Sequence, residues 1–221
     1  ENTAPVVSSV SISPEPAYND DTLTCTETVT DIDNQSLTVS YVWTNVTTGS
    51  SLGTGSSITL SSSDVSPTDV VQCDIHVVDL SGGSDSGSAT LTLSNRNPDT
   101  PIVTIGPDPA YTDSSITCLA SNLGDPDNDS VTVSYAWTIA GSNAGTGDTL
   151  SSVPVFGDVV ECTATVNDGN GGIVTATQSI VVENTAPVVS SVSISPEPAY
   201  NDDTLTCTET VTDIDNQSLT V

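Results

Sequence analysis

Two acidic turns and five cysteines are the residues in this sequence that could do chemistry. Asp31-Ile32-Asp33-Asn34-Gln35 and Asp125-Pro126-Asp127-Asn128-Asp129 set carboxylates at alternate positions. Calcium takes about six to eight oxygen ligands, and such a turn offers carboxylates together with backbone carbonyls. The EF-hand pattern is absent, because neither turn carries its Gly or its distal Glu. Asp79 and Asp168, in later loops, would add ligands if those loops share an end of a domain with the turns. The competing reading is an ordinary Asp/Asn turn between strands. The second turn holds three Asp against two in the first, and is the better candidate for metal.

Nucleophilic and acid–base chemistry finds no such focus. His76 is the sole histidine, and its place in an alternating apolar run puts it on the outward side of a strand. The repeat-equivalent position holds Thr165. No nucleophile-and-base set, phosphate-cradling glycine loop or histidine metal site can be assembled. Pairs of carboxylates are too frequent for any one pair to suggest glycosidase chemistry. The expectation is a protein without enzymatic activity.

Composition narrows the partners. Lys and Arg total one (Arg96) against 29 Asp and Glu, for a formal charge of −28. Such a polyanion repels nucleic acid and anionic membrane surfaces, which excludes both as partners. Its self-repulsion is relieved by salt or divalent cations, so the acidity suits a saline medium as well as a calcium site. Without Lys the chain cannot form the Lys–Asn isopeptide bonds that lock many bacterial surface fibres, and it offers trypsin-like proteases one site. No apolar run reaches the membrane-spanning length of about 18 residues, so no membrane-inserted helix is expected. No leader peptide is visible in a sequence that opens inside a repeat.

That repeat organises everything else. Glu183–Val221 duplicates Glu1–Val39 without one substitution, which sets the repeat period as the step from Glu1 to Glu183 and marks the chain as a window on a longer repetitive polymer. A weaker repeat lies within it. Pro14-Glu15-Pro16-Ala17-Tyr18 returns as Pro107-Asp108-Pro109-Ala110-Tyr111, and Cys25, Trp43 and Cys73 align with Cys118, Trp137 and Cys162. Domains are expected over 1–94 and 95–182, with 183–221 opening a third. Short Pro-containing segments at Glu1–Pro5, Asn95–Pro101 and Glu183–Pro187 read as semi-rigid joints.

Period-2 alternation predicts strands throughout and no helix. The runs centre on Val10 and Ile12, Leu23 and Cys25, Leu37 to Trp43, Ile58 and Leu60, Val71 to Val77, and Ala89 to Leu93. In the second domain they centre on Ile116 and Cys118, Val131 to Trp137, Val160 to Val166, and Ile180 and Val182. Pro14-Glu15-Pro16 and Pro107-Asp108-Pro109 should break a strand where it changes sheets.

A cysteine in an early strand, a tryptophan in the next and a cysteine in a late strand resemble the immunoglobulin-like sandwich. The turn Asp125–Asp129 and the segment Val166-Asn167-Asp168-Gly169-Asn170-Gly171-Gly172 resemble the Ig-like, PKD-like and cadherin-like repeats of large bacterial extracellular proteins. The resemblance covers the whole chain and implies an all-β fold of tandem Ig-like β-sandwich domains, each with one intersheet disulfide. The gap from first Cys to Trp, Cys25 to Trp43 in domain one and Cys118 to Trp137 in domain two, is longer than in antibody domains. The acidic turn fills the extra length.

Within that frame one cysteine pairing follows the repeat: Cys25 with Cys73 and Cys118 with Cys162, each beside a core Trp43 or Trp137. The alternative is buried free thiols packed on the tryptophans. Cys207, the copy of Cys25, is left over. Disulfides imply an oxidising compartment and an extracellular, cell-surface protein. Asn34, Asn45, Asn128 and Asn216 stand in Asn-x-Ser/Thr sequons, a weak glycosylation signal in a chain this rich in Ser and Thr.

The functional expectation is a structural repeat of an extracellular filament, stalk or surface fibre. Its main partner is then itself, as neighbouring repeats of one continuous chain or as subunits that exchange strands. The alternative is an adhesin or glycan-binding repeat module presenting a tip located elsewhere.

Overall fold

The structure is a computed structural model that describes residues 1–220. The chain is all-β and its contacts divide it into two compact units. Unit 1 takes in Glu1–Asp99 together with Gly124–Thr132 and Asn167–Ile173. Unit 2 takes in Thr100–Leu123, Val133–Val166 and Val174–Val221.

Unit 1 is built from β1 (Val6–Ser13), β2 (Thr22–Thr30), β3 (Thr38–Asn45), β4 (Ser50–Thr54), β5 (Ser57–Thr59), β6 (Val70–Val78) and β7 (Ser84–Thr92). They form a three-stranded sheet, β1-β2-β5, and a four-stranded sheet, β4-β3-β6-β7. Strand β6 shows why these residues make a sandwich. Val71, Cys73, Ile75 and Val77 are buried, while Gln72, Asp74 and His76 point away from the core. The alternation lets one face of the sheet bury apolar area while the other stays wet.

The Cys25–Cys73 disulfide ties β2 to β6, and so one sheet to the other, with 6.4 Å between Cα atoms. Trp43 lies beside it, fully buried. Its indole N–H donates to Gly55 O at 2.9 Å, across a turn where Gly55 takes φ +103°. Only glycine adopts that backbone readily, so the turn satisfies the one polar atom of the largest core side chain.

Along the chain come β8 (Ile102–Gly106), β9 (Thr117–Ser121), β10 (Thr132–Ile139), β11 (Ser142–Thr146), β12 (Val159–Asn167) and β13 (Ile173–Val181). They make a two-stranded sheet, β8-β9, and a four-stranded sheet, β11-β10-β12-β13. Within unit 2, Cys118 on β9 is bonded to Cys162 on β12, and Trp137 donates to Gly147 O at 2.8 Å. The plan of unit 1 is thus repeated down to the tryptophan turn. Finally, β14 (Val188–Ser195) and β15 (Thr206–Thr212) form a two-stranded ribbon.

The proline breaks sit where expected. β1 ends at Ser13, Ala17 is buried, and Ala17 O accepts the Ser94 N–H just past β7. Three strands gave no sequence signal. β4 and β11 consist largely of Ser, Gly, Thr and Asn, and β8 follows directly on the Pro-containing joint Asn95–Pro101. They form because β3, β10 and β9 offer edges to pair with.

Each disulfide closes a long loop, with sequence separations of 48 and 44. Loss of either constraint costs about 4 kcal/mol in the chain-entropy account. Replacing Cys118 and Cys162 together by Ala is therefore expected to lower stability by that amount, read as a fall in the denaturant midpoint of one transition.

Candidate functional site

The acidic turns are built by one local device. Asp31 Oδ1 accepts the Asp33 N–H at 2.7 Å, Asp125 Oδ1 accepts the Asp127 N–H at 2.7 Å, and Asp213 Oδ1 accepts the Asp215 N–H at 2.8 Å. The residue after the second Asp takes left-handed φ in all three: Asn34 at 53°, Asn128 at 65° and Asn216 at 56°. Asparagine tolerates that region better than most side chains. This gives Asn34, Asn128 and Asn216 a structural reason independent of their sequons.

The second Asp of each turn holds a joint. Thr3 N–H donates to Asp33 Oδ2 at 2.6 Å, Arg96 N–H to Asp127 Oδ2 at 2.6 Å, and Thr185 N–H to Asp215 Oδ2. Asp127 is buried and carries more. Arg96 Nε donates to its Oδ1 at 2.8 Å, and Nη2 reaches Asp20 Oδ1 at 2.8 Å and Pro126 O at 2.9 Å. The guanidinium also lies over the Tyr18 ring, 4.8 Å from its centroid. The one Arg of the chain thus acts as a tethered cation inside the acidic turn. Burial works against its charge, but Asp127 and Asp20 outweigh that and raise its pKa.

Asp79 and Asp168 serve the joints differently from the expectation. Each is wrapped by its own glycine loop. Asp79 Oδ1 accepts from Ser81 N–H at 2.7 Å and Gly83 N–H at 2.9 Å, and Oδ2 from the Asn2 amide at 3.0 Å. Asp168 Oδ1 accepts from Asn170 N–H at 2.8 Å and Gly172 N–H at 2.9 Å, and Oδ2 from the Asn95 amide at 2.8 Å. A Cβ at Gly83 or Gly172 would run into these carboxylates, which fixes glycine there. The Asn2 amide, with the loop N–H groups, holds the Asp79 carboxyl below its usual value against a burial penalty. At Asp168 burial pushes upward most, but the Asn95 amide and the N–H groups of Asn170 and Gly172 together carry the balance downward.

Asp125, Asp127 and Asp129 come together, each offering a carboxylate oxygen within 4.8 Å of the others. Among the described residues this is the one acidic trio of that kind; Asp31 and Asp33 gather no third member. Burial raises the Asp125 carboxyl, and the charges of Asp129 and Asp127 add to that, against the N–H groups of Asp127 and Asp129. Its Oδ2 is buried without a donor, as is Oδ2 of Asp31. Asp129 Oδ2 takes the Asn170 amide at 2.8 Å.

Other expected sites fall apart from this cluster. Asn45 is fully buried, its amide donating to Asp69 at 2.8 Å and its Oδ1 accepting the Thr47 N–H, so a glycan there has no room. His76 faces outward on β6 beside Ser86 at 3.1 Å, in a shallow trough with Ser40, Val42, Asp74 and Ser88. Both tryptophans are buried, so neither can stack on a sugar. Arg96, Asn2 and Asn95 were not singled out from sequence as joint residues. The one available signal was that Arg96 is the lone cation in so acidic a chain.

No protein-family model matches the chain, and no curated protein does. Solved structures resemble it at low identity. A protocadherin gammaB7 fragment of extracellular domains 3–6, described as a cis-dimer, shares 16% identity over 94% of this chain and 56% of its own, at TM-score 0.37. Domains 3–6 of protocadherin gamma B2 share 13% over 88% and 55%, at TM-score 0.29. A Bacteroides ovatus protein of a mixed-linkage glucan utilization locus, SGBP-B, solved with a mixed-linkage heptasaccharide, shares 12% over 92% and 76%, at TM-score 0.26. The chain spans little more than half the length of these two protocadherin structures. At these identities and TM-scores they are distant likenesses.

The shifted carboxyls fix an acid response. Groups lowered in the fold, namely Asp79, Asp85, Asp168 and Asp215, stabilise it above the ordinary Asp value near about 4 and lose that contribution as pH falls further. Asp125, raised, works in the opposite sense and protonates first. Stability is expected to fall on acidification below about pH 4. In Asn95→Ala the Asp168 carboxyl should titrate at higher pH, as read by NMR; an unmoved titration would contradict its role.

Proposed function

We propose that this chain is a non-catalytic structural repeat of an extracellular, cell-surface filament, stalk or fibre. The observation that carries it is the threefold recurrence of one joint: Thr3 on Asp33, Arg96 on Asp127 and Thr185 on Asp215. A backbone N–H bound to a turn carboxylate in each of the three segments fixes that segment against the turn that follows it in the chain. Two stapled sandwiches of one plan, and the exact recurrence of Glu1–Val39 as Glu183–Val221, suit a polymer in which each copy bears the same load. The disulfides require an oxidising compartment. Among the described residues no helix is long and apolar enough to cross a membrane. Imaging of native material that carries this sequence should show beaded filaments with a regular axial repeat. Dispersed globular particles would sink the reading.

Calcium is a second element of the proposal, supported by the buried, donorless Oδ2 of Asp125 within the acidic trio. Asp125 and Asp129 would hold the ion, with Asp127 shared between it and Arg96. The ion would neutralise carboxylates whose mutual repulsion otherwise loosens the turn. Melting in calcium at about a hundredfold excess over its dissociation constant should exceed melting in chelator by about 5 °C or more, and Asp125→Asn should abolish the difference. Equal melting temperatures for the unaltered chain would exclude the site.

The glycan-binding alternative rests on the polar trough around His76, Asp74 and Ser86, which sits on the exposed face of a sheet. It has no aromatic platform in that trough, and we rank it below the filament.

A further inference from the structure

The loop that wraps Asp168 holds the one Asn–Gly step of the sequence, Asn170–Gly171. Asp168 Oδ1 takes the Asn170 N–H at 2.8 Å and the Gly172 N–H at 2.9 Å. The Gly171 N–H between them meets no protein acceptor among the described residues. Gly171 takes φ +107°, and a Cβ there would have nothing within 4 Å, so no side chain crowds the step. The Asn170 side chain lies outside the wrap, its amide donating to Asp129 Oδ2 at 2.8 Å. All of these residues belong to unit 1. At the matching place in the first copy of the loop, Asp79–Gly83, stands Ser81, whose hydroxyl donates to Gln35 Oε1 at 3.3 Å. The second loop therefore sets an amide against a carboxylate of the acidic trio where the first joins two uncharged side chains.

We propose that Asn170 is a self-modifying site: its side chain closes on the Gly171 nitrogen and hydrolyses to an acid, and the new carboxylate joins Asp125, Asp127 and Asp129 as a fourth group facing a divalent cation. Glycine makes the step available, because without a Cβ its nitrogen approaches the Asn170 Cγ closely. The Gly171 N–H also has no hydrogen bond to an acceptor of the loop to give up, whereas the N–H groups on either side of it do.

The covalent step needs water alone. Gly171 N gives its proton to water or hydroxide and bonds to Asn170 Cγ. The Cγ–Nδ2 bond then breaks, and the nitrogen takes a proton from water and leaves as ammonia. A second water opens the five-membered imide. Attack at Cγ yields aspartate, and attack at the backbone carbonyl yields isoaspartate. Either product turns the donor that Asp129 held into another acceptor. Without a cation the two carboxylates repel, and the loop loses its tie to the turn. With calcium, a further oxygen ligand and a further charge strengthen binding, since ligand number and charge set the affinity of such sites. The cation half of the inference rests on the calcium reading above, and the conversion itself does not.

The test ages the full chain in chelator under mildly alkaline, warm conditions and follows it by peptide mass spectrometry. Asn170 is expected to gain the mass of an acid, part of it as isoaspartate, about tenfold or more faster than any other Asn of the chain. The rate should climb with pH, because the attacking nitrogen must shed its proton. Conversion no faster than at Asn128 or Asn143, or a rate indifferent to pH, overturns the site. Asn170→Ser, which installs the residue of the first loop, must remove the signal. Asn170→Asp supplies the product directly. It should melt below the unaltered chain in chelator, and its gain on adding calcium should be larger by about 3 °C or more, as tenfold tighter binding would give. A gain no larger than that of the unaltered chain overturns the fourth ligand. If neither protein responds to calcium, the calcium reading fails and takes the fourth ligand with it, while the mass measurement decides the conversion by itself.

Discussion

A carboxylate ringed by N–H donors is the interaction on which the rest of this structure depends. With 29 acidic side chains and one basic one, ion pairing cannot organise the molecule. Hydrogen bonds from backbone and amide groups do it instead. They carry fixed partial charge without desolvating a cation, and they shorten and strengthen when the acceptor is ionised. Asp79 and Asp168 are the fullest cases, each holding its own loop through Oδ1 and a joint asparagine through Oδ2. The acidity is therefore more than a coat for solubility. At the joints it is the adhesive, and the glycines of those loops exist to let the carboxylate in.

Arg96 shows what happens where N–H groups do not suffice. Asp127 is the buried member of its turn, with the charges of Asp125 and Asp129 beside it. The equivalent joint residues, Thr3 and Thr185, give their Asp only a backbone N–H. Arg96 adds Nε and Nη2 and bridges to Asp20. A second cation in the turn would meet Arg96 already on Asp127, and would find its open oxygen on Asp125. The two ways of neutralising the trio are coupled, because both draw on the Asp127 carboxylate.

The fold was readable in the sequence wherever one strand face is buried. Val71, Cys73, Ile75 and Val77 announce β6, and the cysteines and tryptophans recur at matching offsets. β4 and β11 were not readable, since strands of Ser, Gly and Asn at the edge of a sheet are held by their neighbours rather than by their own burial. The site was readable in its acidic turns and opaque in its partners. Asp31–Asp33 and Asp125–Asp129 are local patterns, whereas the pairing of Asn95 with Asp168 spans 73 residues and leaves no periodicity. Asn45 misled for a related reason. A sequon is a strictly local pattern, and the burial of Asn45 against Asp69 is decided by a loop 24 residues away.

The duplicate ribbon separates what is local in this fold from what is not. Pairing, register and bulge are the same in β1–β2 and β14–β15, as expected of two segments of identical sequence. The second sheet supplies burial and the disulfide. A bare two-stranded ribbon is marginal in water, and its inner face adds stability only once a four-stranded sheet covers it. Each sandwich ties its early strands to a four-stranded sheet through one disulfide. Stability then resides in seated pairs, in whatever order the chain links them.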